Sequence, residues 1–370
     1  MKTISTKFHD LTPAYPIENL ADPKDVLFID IETTGLTAKN TNLYLIGCVF
    51  YKDEIWQSLQ WFAENYEDEL TVLTAFFEFI KNYKFIIHYN GNKFDIPYLQ
   101  QKCEQFSLDY SFDNYGGIDI YRRIIPYKNI LGLPDLKQKT IEDFLSVERN
   151  DTYSGRELIS KYHNYVCDPN ETDLNDLLLH NEEDLKGMLT VISMLAYSDL
   201  FNKSVRVMKA QANYFNNENK KRCQEIIMKI RLDSPLPAQI SFRGAGCYFS
   251  GSNVDASLKV PLYEEEMKYF YSNYKNYYYL PAEDIAMHKS VAGFVDKQHR
   301  VQATAANCYT RNKSLFLPEW SNLFTPFYKR DYHSKEIFFE LTDEFKKSRS
   351  AFSMYVEHVL NAMLEYNEDF

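Results

Sequence analysis

The protein contains 370 residues and carries a formal net charge of −11, from 41 basic and 52 acidic side chains. This charge excludes a basic protein that coats nucleic acid. The hydrophobic fraction of 45% with 25% charged residues excludes a largely disordered or fibrous chain. The length predicts two domains, or one large domain with an appendage.

The sequence has no feature of a membrane or secreted protein. Its longest apolar runs, such as Val26–Ile29, are far shorter than the ~20 residues that span a bilayer. The first residues, 1–7, lack the apolar segment of a secretory signal. The six cysteines are scattered without a C-x-x-C pair, as in proteins whose thiols stay reduced. We therefore expect a soluble cytoplasmic protein that does not contact a membrane.

The first half of the chain has the pattern of an α/β domain. Residues 1–23 are polar and contain three prolines, which predicts an N-terminal arm. Short β-prone runs predict strands at 26–31, 43–51, 55–62, 85–89 and 117–121. Helical spacing of apolar residues predicts helices at 67–83, 97–106, 136–145 and 174–200. Three strands followed by alternating strands and helices predict a mixed sheet in a domain over residues 24–200.

The second half has a different pattern. Residues 201–235 are predicted to form a basic helical connector, which ends at the sequence Ser-Pro-Leu-Pro of residues 234–237. Residues 236–370 are predicted to form a C-terminal domain, helical or α+β, to which the pattern assigns no fold. Within it we expect strands at 240–248 and 257–263 and helices at 283–305 and 347–365.

The charge is divided unevenly between these halves. Residues 1–200 hold 18 basic and 32 acidic side chains, whereas residues 201–370 hold 23 and 20. Within 201–231 there are 8 basic and 2 acidic residues. Residues 201–231 are therefore predicted to bind any polyanionic partner, and the alternative is that they form a solvated helix face. The tyrosine-rich segment 263–279 has two open interpretations, a surface that stacks bases and ordinary core packing.

Carboxylates follow the predicted strands of the first half. Asp30 and Glu32 are two residues apart at the end of an apolar strand, so they share one face. Asp95 follows the next strand after a tight loop, and His180 and Asp184 are four apart on a predicted helix. Paired carboxylates favour a hard divalent cation. Taken singly, each pair also fits a solvated strand end or a surface helix pair.

Three segments in this order resemble the three motifs of the DEDD superfamily of ribonuclease H-like 3′→5′ exonucleases. They are FIDIETTGL at 28–36, HYNGNKFDIPYL at 88–99 and HNEED at 180–184. With LKQKTIEDFL at 136–145 and the Ser154-Gly155 stretch, the chain is more narrowly similar to YprB-type ribonuclease H-like domain proteins. The resemblance covers residues 24–200 and implies a ribonuclease H-like mixed sheet flanked by helices.

The resemblance also implies a set of site residues. The metal-binding carboxylates would be Asp30, Glu32, Asp95 and Asp184. They would hold two Mg²⁺ or Mn²⁺ ions, which activate water and stabilise the leaving 3′-oxygen. Oxygen ligands without thiolates favour these ions over zinc.

His180 departs from the pattern of the superfamily. A histidine at this motif belongs to one branch, but its spacing of four residues before Asp184 belongs to the tyrosine branch. We expect His180 to act as the general base, the alternative being a side chain that faces solvent at the rim of the cleft.

The resemblance also implies contacts with the substrate. By the motif positions, Thr33, Thr34 and Asn90 would contact it, whereas Phe94 would pack. As an alternative, the two threonines are ordinary turn residues. Asp119 is a candidate supporting residue outside the predicted site.

The sequence therefore predicts a metal-dependent nuclease. The leading hypothesis is a 3′→5′ exonuclease that acts on a single-stranded 3′ end. Two alternatives stay open: a nucleic-acid-binding or regulatory module that has lost turnover, and a structure-specific endonuclease. The sequence does not distinguish DNA from RNA, and it identifies no protein partner.

Overall fold

The computed structural model describes residues 1–151, 153–216, 220 and 222–366. The chain divides into two compact units. The first comprises Met1–Asp199 together with Leu236–Ala238, and the second comprises Leu200–Pro235 and Gln239–Phe370.

The first unit is built on a six-stranded mixed sheet. Its strands are β1 (Lys2–Phe8), β2 (Val26–Thr33), β3 (Leu43–Lys52), β4 (Ile55–Phe62), β5 (Phe85–His88) and β6 (Gly116–Asp119). The strand order is β1-β4-β3-β2-β5-β6. The first four strands in this order pair antiparallel, whereas β2, β5 and β6 run parallel. The sheet therefore has an antiparallel half and a parallel half that meet at β2.

Seven helices accompany this sheet in the described part of the chain. They are α1 (Glu69–Ile80), α2 (Asp95–Gln105), α3 (Ile120–Ile124), α4 (Gln138–Phe144), α5 (Gly155–Cys167), α6 (Glu171–Val191) and α7 (Leu195–Asn202). Both faces of β2 are covered, which explains why its first four residues form a continuous apolar run instead of an alternating one. Asp30 is the first polar residue after that run.

Aromatic packing stabilises the first unit. Tyr44 of β3 stacks on Tyr162 of α5 with ring centroids 4.3 Å apart, and both rings are fully buried. Phe62 meets the edge of the same Tyr162 ring at 5.9 Å. Each such side chain contributes about 1.5–3 kcal/mol by leaving water. The packing fixes α5 and the strands that lead into the site.

The predicted elements of this half are confirmed with shifts of a few residues, apart from the N-terminal arm. Residues 2–8 form β1, which pairs with β4 from Lys2 opposite Phe62 to Phe8 opposite Trp56. The interpretation of this stretch as an arm alone is therefore wrong. Its alternating burial, with every second residue turned outward, is the pattern of a strand at a sheet edge.

The second unit is rich in strands. They are β7 (Arg206–Asn216), β8 (Arg222–Gly244), β9 (Cys247–Phe270), β10 (Tyr277–Leu280), β11 (Ile285–His288), β12 (Val301–Gln302), β13 (Tyr309–Glu319), β14 (Phe327–Tyr328) and β15 (Ile337–Glu340). One sheet has the order β14-β15-β13-β9-β8-β7, and a three-stranded sheet has the order β11-β10-β12.

Three helices occur among the described residues of this unit after β11: α8 (Lys289–Ala292), α9 (Asp343–Lys347) and α10 (Arg349–Glu365). Helix α10 buries one side, including Phe352, Val356 and Val359. Its Tyr355 is fully buried and donates its hydroxyl to the Pro318 carbonyl of β13 at 2.9 Å. The helix predicted at 347–365 is thereby confirmed.

The predicted basic helix over residues 201–232 is wrong for the described residues, although α7 does extend to Asn202. The stretch forms β7 and most of the first half of β8, while Glu218 and Lys221 lie outside the described residues. Up to residue 232, the buried residues of β8 are Ile226, Met228, Ile230 and Leu232. This spacing of two is that of a strand, and it overrides the helix propensity of the intervening basic residues.

The helix predicted at 283–305 is also wrong. Its residues form β11, the four-residue α8, a short 3₁₀ turn and β12. Gly293 ends α8.

Candidate active site

Asp30 and Glu32 lie at the centre of the first unit, on the strand where the parallel and antiparallel halves of the sheet meet. As residues two apart on β2, they project from the same face. Glu32 accepts a long hydrogen bond of 3.5 Å from the Tyr44 hydroxyl. The fold therefore places two carboxylates side by side in the interior of the sheet.

Asp30 is held by a buried amide pair. Asn181 of α6 donates its Nδ2 to the Asp30 carboxylate at 2.8 Å, and Gln60 of β4 donates to the Asn181 Oδ1 at 2.9 Å. Gly47 lies opposite Asp30 in the sheet, and a Cβ at that glycine would sit 2.0 Å from the Asn181 Oδ1. The absence of a side chain at Gly47 is what lets Asn181 reach Asp30.

His180 lies between two carboxylates of the site and a third outside it. Its Nε2 is 3.7 Å from the Glu32 carboxylate and 3.5 Å from that of Asp184. Its Nδ1 is 2.7 Å from the buried Asp151 carboxylate. Because Asp151 engages Nδ1, the ring presents Nε2 to Glu32 and Asp184.

Asp184, one turn after His180 on α6, is paired with Arg149. The Arg149 Nη1 lies 2.7 Å from one Asp184 oxygen and 2.9 Å from the fully buried Glu142. Gln138 donates to the Asp184 backbone carbonyl at 2.8 Å. Gly187 makes room for this arrangement, since a Cβ there would lie 1.9 Å from a Glu142 oxygen.

Asp95 is the first residue of α2 and is 6% exposed. Burial raises the pKa of its carboxyl to about 7, and repulsion from Asp119 and Asp184 acts in the same direction. Hydrogen bonds from the backbone of Asp95 and Ile31 oppose this change in pKa. Asp95 also repels the carboxylates of Asp30 and Glu32. The end of β2 and the start of α2 thus contribute carboxylates to the same site.

The like charges raise the proton affinity of the site. Burial raises the pKa of Asp30 well above its ordinary value, and repulsion from Asp184, Glu32 and Asp95 adds to it. Burial likewise raises the pKa of Glu32 to about 8, although the nearby His180 opposes the change. Bringing these carboxylates together in their charged form therefore requires a counter-charge.

The pKa of His180 is also raised. Burial acts to lower this pKa, but attraction to Glu32 and Asp184 and the hydrogen bond with Asp151 outweigh it. Asp151 has a pKa below its ordinary value: burial opposes ionisation, while hydrogen bonds from the Tyr153 backbone and His180 more than offset it.

The donor set fits a divalent cation. One ligand atom each from Glu32, His180 and Asp184 lies within 4.8 Å of the others, as required to hold one ion. The carboxylates of Asp30 and Asp95 interact with those of Glu32 and Asp184 by like-charge repulsion. Carboxylate oxygens are the ligands that Mg²⁺ and Mn²⁺ prefer.

The predicted substrate contacts lie in the loops around the site. The Thr33 hydroxyl donates to the Gly35 carbonyl at 2.8 Å, and the Thr34 hydroxyl accepts from the Asn42 backbone at 2.8 Å. Asn90 has a positive φ of 59°, and its backbone N–H donates to Asp119 at 2.9 Å. The two threonine hydroxyls therefore stabilise their own loop, and Asp119 holds the loop that carries Asn90.

Sequence reasoning missed Arg149, Asp151, Asn181 and Gln60. Asn181 stands inside the third motif, directly after His180, so its position was available from the sequence. Arg149 and Asp151 lie in a loop before α5, and only the folded chain reveals that this loop reaches α6.

Residues 27–196 match the family model described as the RNase_H superfamily. The first unit has a ribonuclease H-like fold. This confirms the predicted fold class of a mixed sheet flanked by helices. The region that follows it is β-rich, whereas a helical or α+β extension of unknown fold was predicted.

Solved structures with similarity to the chain include a polymerase and two structures of exonuclease I. A family B DNA polymerase from the hyperthermophilic archaeon Pyrobaculum calidifontis is 16% identical, with a TM-score of 0.40 over 48% of this chain and 26% of the polymerase chain. A structure of exonuclease I is 10% identical, with a TM-score of 0.29 over 56% of this chain and 55% of its own. A zinc-bound E. coli exonuclease I–ssDNA complex is 12% identical, with a TM-score of 0.28 over 56% and 54%.

The chain therefore spans about a quarter to just over half of these structures. No curated protein matches the sequence. Within the described residues, the helices are all too short or too polar to cross a bilayer.

Proposed function

We propose that the first unit is a metal-dependent nuclease that hydrolyses phosphodiester bonds, acting as a 3′→5′ exonuclease of the DEDD type. The observation that supports this proposal is the convergence of Asp30, Glu32, Asp95 and Asp184, with His180 between two of them. These four carboxylates, of which Asp95 is buried and the other three are half-buried, are suited to bind cations that neutralise a phosphodiester in its transition state. The motif wording further supports a relation to YprB-type proteins.

The same carboxylates would hold two Mg²⁺ or Mn²⁺ ions. When bound, such ions supply an activated water and stabilise the leaving 3′-oxygen. Asp30 would contribute oxygen ligands from the central strand, and Glu32 and Asp184, which both lie near His180, would contribute theirs from β2 and α6. Asp95 would complete the second position from the start of α2.

His180 would accept the proton of the attacking water. The neutral imidazole, with Nδ1 donating to Asp151, has a lone pair on Nε2, the nitrogen nearest Glu32 and Asp184. Cations bound by these two carboxylates would oppose the rise in the pKa of His180. Asp151 fixes the orientation and tautomer of the ring, in the way that a carboxylate orients a histidine base in other hydrolases. Asp151 is thus a positioning residue.

Arg149 and Asn181 would set the positions of two metal-binding carboxylates. Asn181 leaves one oxygen of Asp30 committed to a hydrogen bond, and Arg149 does the same for one oxygen of Asp184. The remaining oxygens stay available for cations. Fixing the ligands before the ions bind reduces the entropy that binding removes.

A single-stranded 3′ end, of DNA or RNA, is the proposed substrate. The loop of Thr33 and Thr34 follows Glu32 directly, and the Asn90 loop precedes Asp95. Backbone and side-chain donors in these loops would contact the terminal nucleotide next to the carboxylates.

One observation favours a second candidate, a nucleic-acid-binding module without turnover. The guanidinium of Arg149 already provides a counter-charge for Asp184 at 2.7 Å. If Arg149 takes the place of a cation there, the fold would keep its surface and lose its chemistry.

The test is cleavage of 5′-labelled single-stranded and duplex DNA and RNA in Mg²⁺ or Mn²⁺. Asp95→Asn removes one charge at the site, and Asp113→Asn removes one from an exposed carboxylate as the matched control. We expect a ladder that shortens from the 3′ end for the natural chain and for Asp113→Asn, and none for Asp95→Asn.

Discrete internal products would instead identify an endonuclease. Binding of the strands without any cleavage in either metal would favour the second candidate. Equal cleavage by Asp95→Asn and Asp113→Asn would show that the activity does not come from this site.

A further inference from the structure

The hairpin of β7 and β8 in the second unit brings cations directly opposite one another. In the antiparallel register Arg206 pairs with Arg231, and Lys209 pairs with Lys229. All four side chains are exposed. Directly opposed residues share one face of a sheet, so these four form a cationic sheet face.

Opposed like charges destabilise a sheet unless something offsets them. Each arginine has a carboxylate: Arg206 lies 3.6 Å from Asp233, and Arg231 lies 2.8 Å from Asp255. Neither Lys209 nor Lys229 has an ion-pair partner among the residues that the structure describes. The lysine pair is therefore repulsive in the protein by itself and would be relieved by an external anion.

A β-bulge increases the exposure of this region. The pairing skips Met208, so that Met208 and Lys209 together oppose Lys229. Met208 is 54% exposed although it lies between two strand residues. The bulge thus presents the apolar Met208 side chain beside Lys209 and Lys229, which have no ion-pair partner among the described residues.

The same face continues into an open groove of about 1050 Å³. Glu225 of β8 lines this groove and is four residues before Lys229, so both project from one side of the strand. The residues between them that point the other way, Ile226 and Met228, are buried. Strand alternation therefore places Glu225 of the groove and Lys229 of the cationic sheet face on the same side of β8.

Aromatic rings and further cations line the groove. Phe215 of β7 is 42% exposed. The Tyr248 ring lies 5.1 Å from the Arg243 guanidinium and 5.8 Å from the Lys259 ammonium. The exposed Phe215 ring and the half-buried Tyr248 ring offer surfaces for bases, and the cations beside Tyr248 offer charges for the adjoining phosphates.

Carboxylates at the groove are engaged by neighbouring side chains. Glu225 accepts from Asn213 at 2.7 Å and lies 3.8 Å from Lys259. Glu264 accepts from Gln224, and Glu265 is paired with Arg330 at 2.9 Å. Glu225 and Glu265 therefore have cationic partners, whereas Glu264 has a neutral partner and keeps its charge at the groove.

We infer that this surface binds single-stranded nucleic acid, with phosphates on the cationic sheet face and bases against Phe215 and Tyr248. The inference rests on the proposed nuclease function, since a nuclease gains from a second unit that holds the strand. Phosphates and base faces are common to DNA and RNA, so the surface accepts either. An unstacked strand is required because the bases of a duplex do not expose their faces.

The test is fluorescence anisotropy of labelled 20-nucleotide dT and rU strands with the full chain in EDTA, where no cleavage occurs. Lys209→Gln/Lys229→Gln removes two phosphate contacts. We expect the Kd to rise about tenfold at 100 mM salt and the slope of log Kd against log salt to fall by about 1.4. Phe215→Ala/Tyr248→Ala should raise the Kd about fivefold or more and leave that slope unchanged.

The matched control is Lys297→Gln/Lys335→Gln, which removes the same charge from exposed lysines outside the groove and the cationic sheet face. Its Kd should stay within about twofold of the natural chain. The Tm of Lys209→Gln/Lys229→Gln should be unchanged or higher because an opposed like-charge pair is lost. A lower affinity in this variant would then not arise from unfolding.

Three results would overturn the inference. One is an equal Kd and salt slope for the two lysine variants, and another is tighter binding of duplex than of single strands. The third is displacement of the labelled strand by polyglutamate as effectively as by an unlabelled strand, which would identify an acidic protein segment as the partner. Binding that depends on Lys209 and Lys229 in a protein that cleaves nothing would uphold this surface and refute the nuclease proposal alone.

Discussion

Like charges are brought together in both units of this protein, with opposite sign and opposite exposure. In the first unit, carboxylates from β2, α2 and α6 meet in a largely buried site, and burial raises the pKa of Asp30, Glu32 and Asp95. In the second unit, Lys209 and Lys229 oppose each other on an exposed sheet face. Water screens the second pair and not the first cluster.

The difference indicates the kind of partner that each region requires. A buried cluster of carboxylates has room only for small, concentrated charges such as divalent cations or protons. An exposed cationic face suits a long and mobile polyanion whose charges are spread along a chain. Under the two proposals, the first region is a site for chemistry and the second is a surface for holding substrate.

The largest effect should follow from removing a charge at the buried cluster. Asp30→Asn should reduce turnover by roughly 10³-fold or more, because a carboxylate that holds cations contributes several kcal/mol to the transition state. Strand binding in EDTA should remain as in the natural chain. Both kcat and strand binding by anisotropy should be measured. Loss of both in this variant would contradict the separation between the two regions.

His180 and Asp151 should give the next largest effects. His180→Ala should reduce turnover by about 10²-fold, the range of a general base, while metal and substrate binding stay nearly intact. Unchanged turnover in this variant would remove His180 from the mechanism.

Asp151→Asn should reduce kcat by about tenfold with little change in KM, because the base loses the carboxylate that orients it. Asp151→Glu should restore part of the rate if orientation is the role of this residue. Equal losses in the Asn and Glu variants would instead indicate a purely structural role.

Arg149 distinguishes the two candidate functions. If it only positions Asp184, Arg149→Met should weaken Mn²⁺ binding several-fold and lower activity. If it replaces a cation, the same substitution should strengthen Mn²⁺ binding, because Asp184 is released from its 2.7 Å ion pair. Calorimetric titration with Mn²⁺ separates these outcomes by the sign of the change.

The smallest effect should be seen in the stability of the metal-free protein. Because the folded-state pKa values of Glu32 and Asp95 are raised to about 8 and about 7, the folded protein binds more protons than the unfolded chain between about pH 4 and 8. Stability in EDTA should therefore fall as the pH rises through this interval. Glu32→Gln should be more stable than the natural chain by a margin that grows with pH, by at least about 2 °C in Tm at pH 8.

Thermal scans in EDTA from pH 5 to 8.5 would measure this margin, with Asp113→Asn as the control for loss of a carboxylate. A margin that stays constant with pH would contradict the raised pKa of Glu32. Adding Mn²⁺ should raise the Tm of the natural chain more than that of Glu32→Gln.

The sequence predicted the fold of the first unit because its signals are local. The apolar run before Asp30 and the helical spacing in α1 and α6 each lie within a single element. The order of the three motifs along the chain then indicates how these elements follow one another. The sequence-based prediction of a basic helix is wrong for β7 and β8. The alternation of Met228, Lys229, Ile230, Arg231 and Leu232 is a period of two that was present in the sequence and outweighed by composition.

The candidate site was predictable only in part for a related reason. Asp30, Glu32, Asp95, His180 and Asp184 each stand in a motif, and the fold brings them together. Arg149 and Asp151 stand in no motif, and their effect depends on a loop reaching α6 across the tertiary structure. Long-range contacts of this kind leave no periodic signal in one sequence.

The most direct test of the account is a calorimetric titration of the full chain with Mn²⁺ at pH 7.5. The account predicts two ions per chain for the natural protein and for Asp113→Asn, and loss of this binding in Asp30→Asn. Absence of Mn²⁺ binding by the natural chain, or binding that Asp30→Asn leaves unchanged, would contradict the assignment of the buried carboxylates as the metal site.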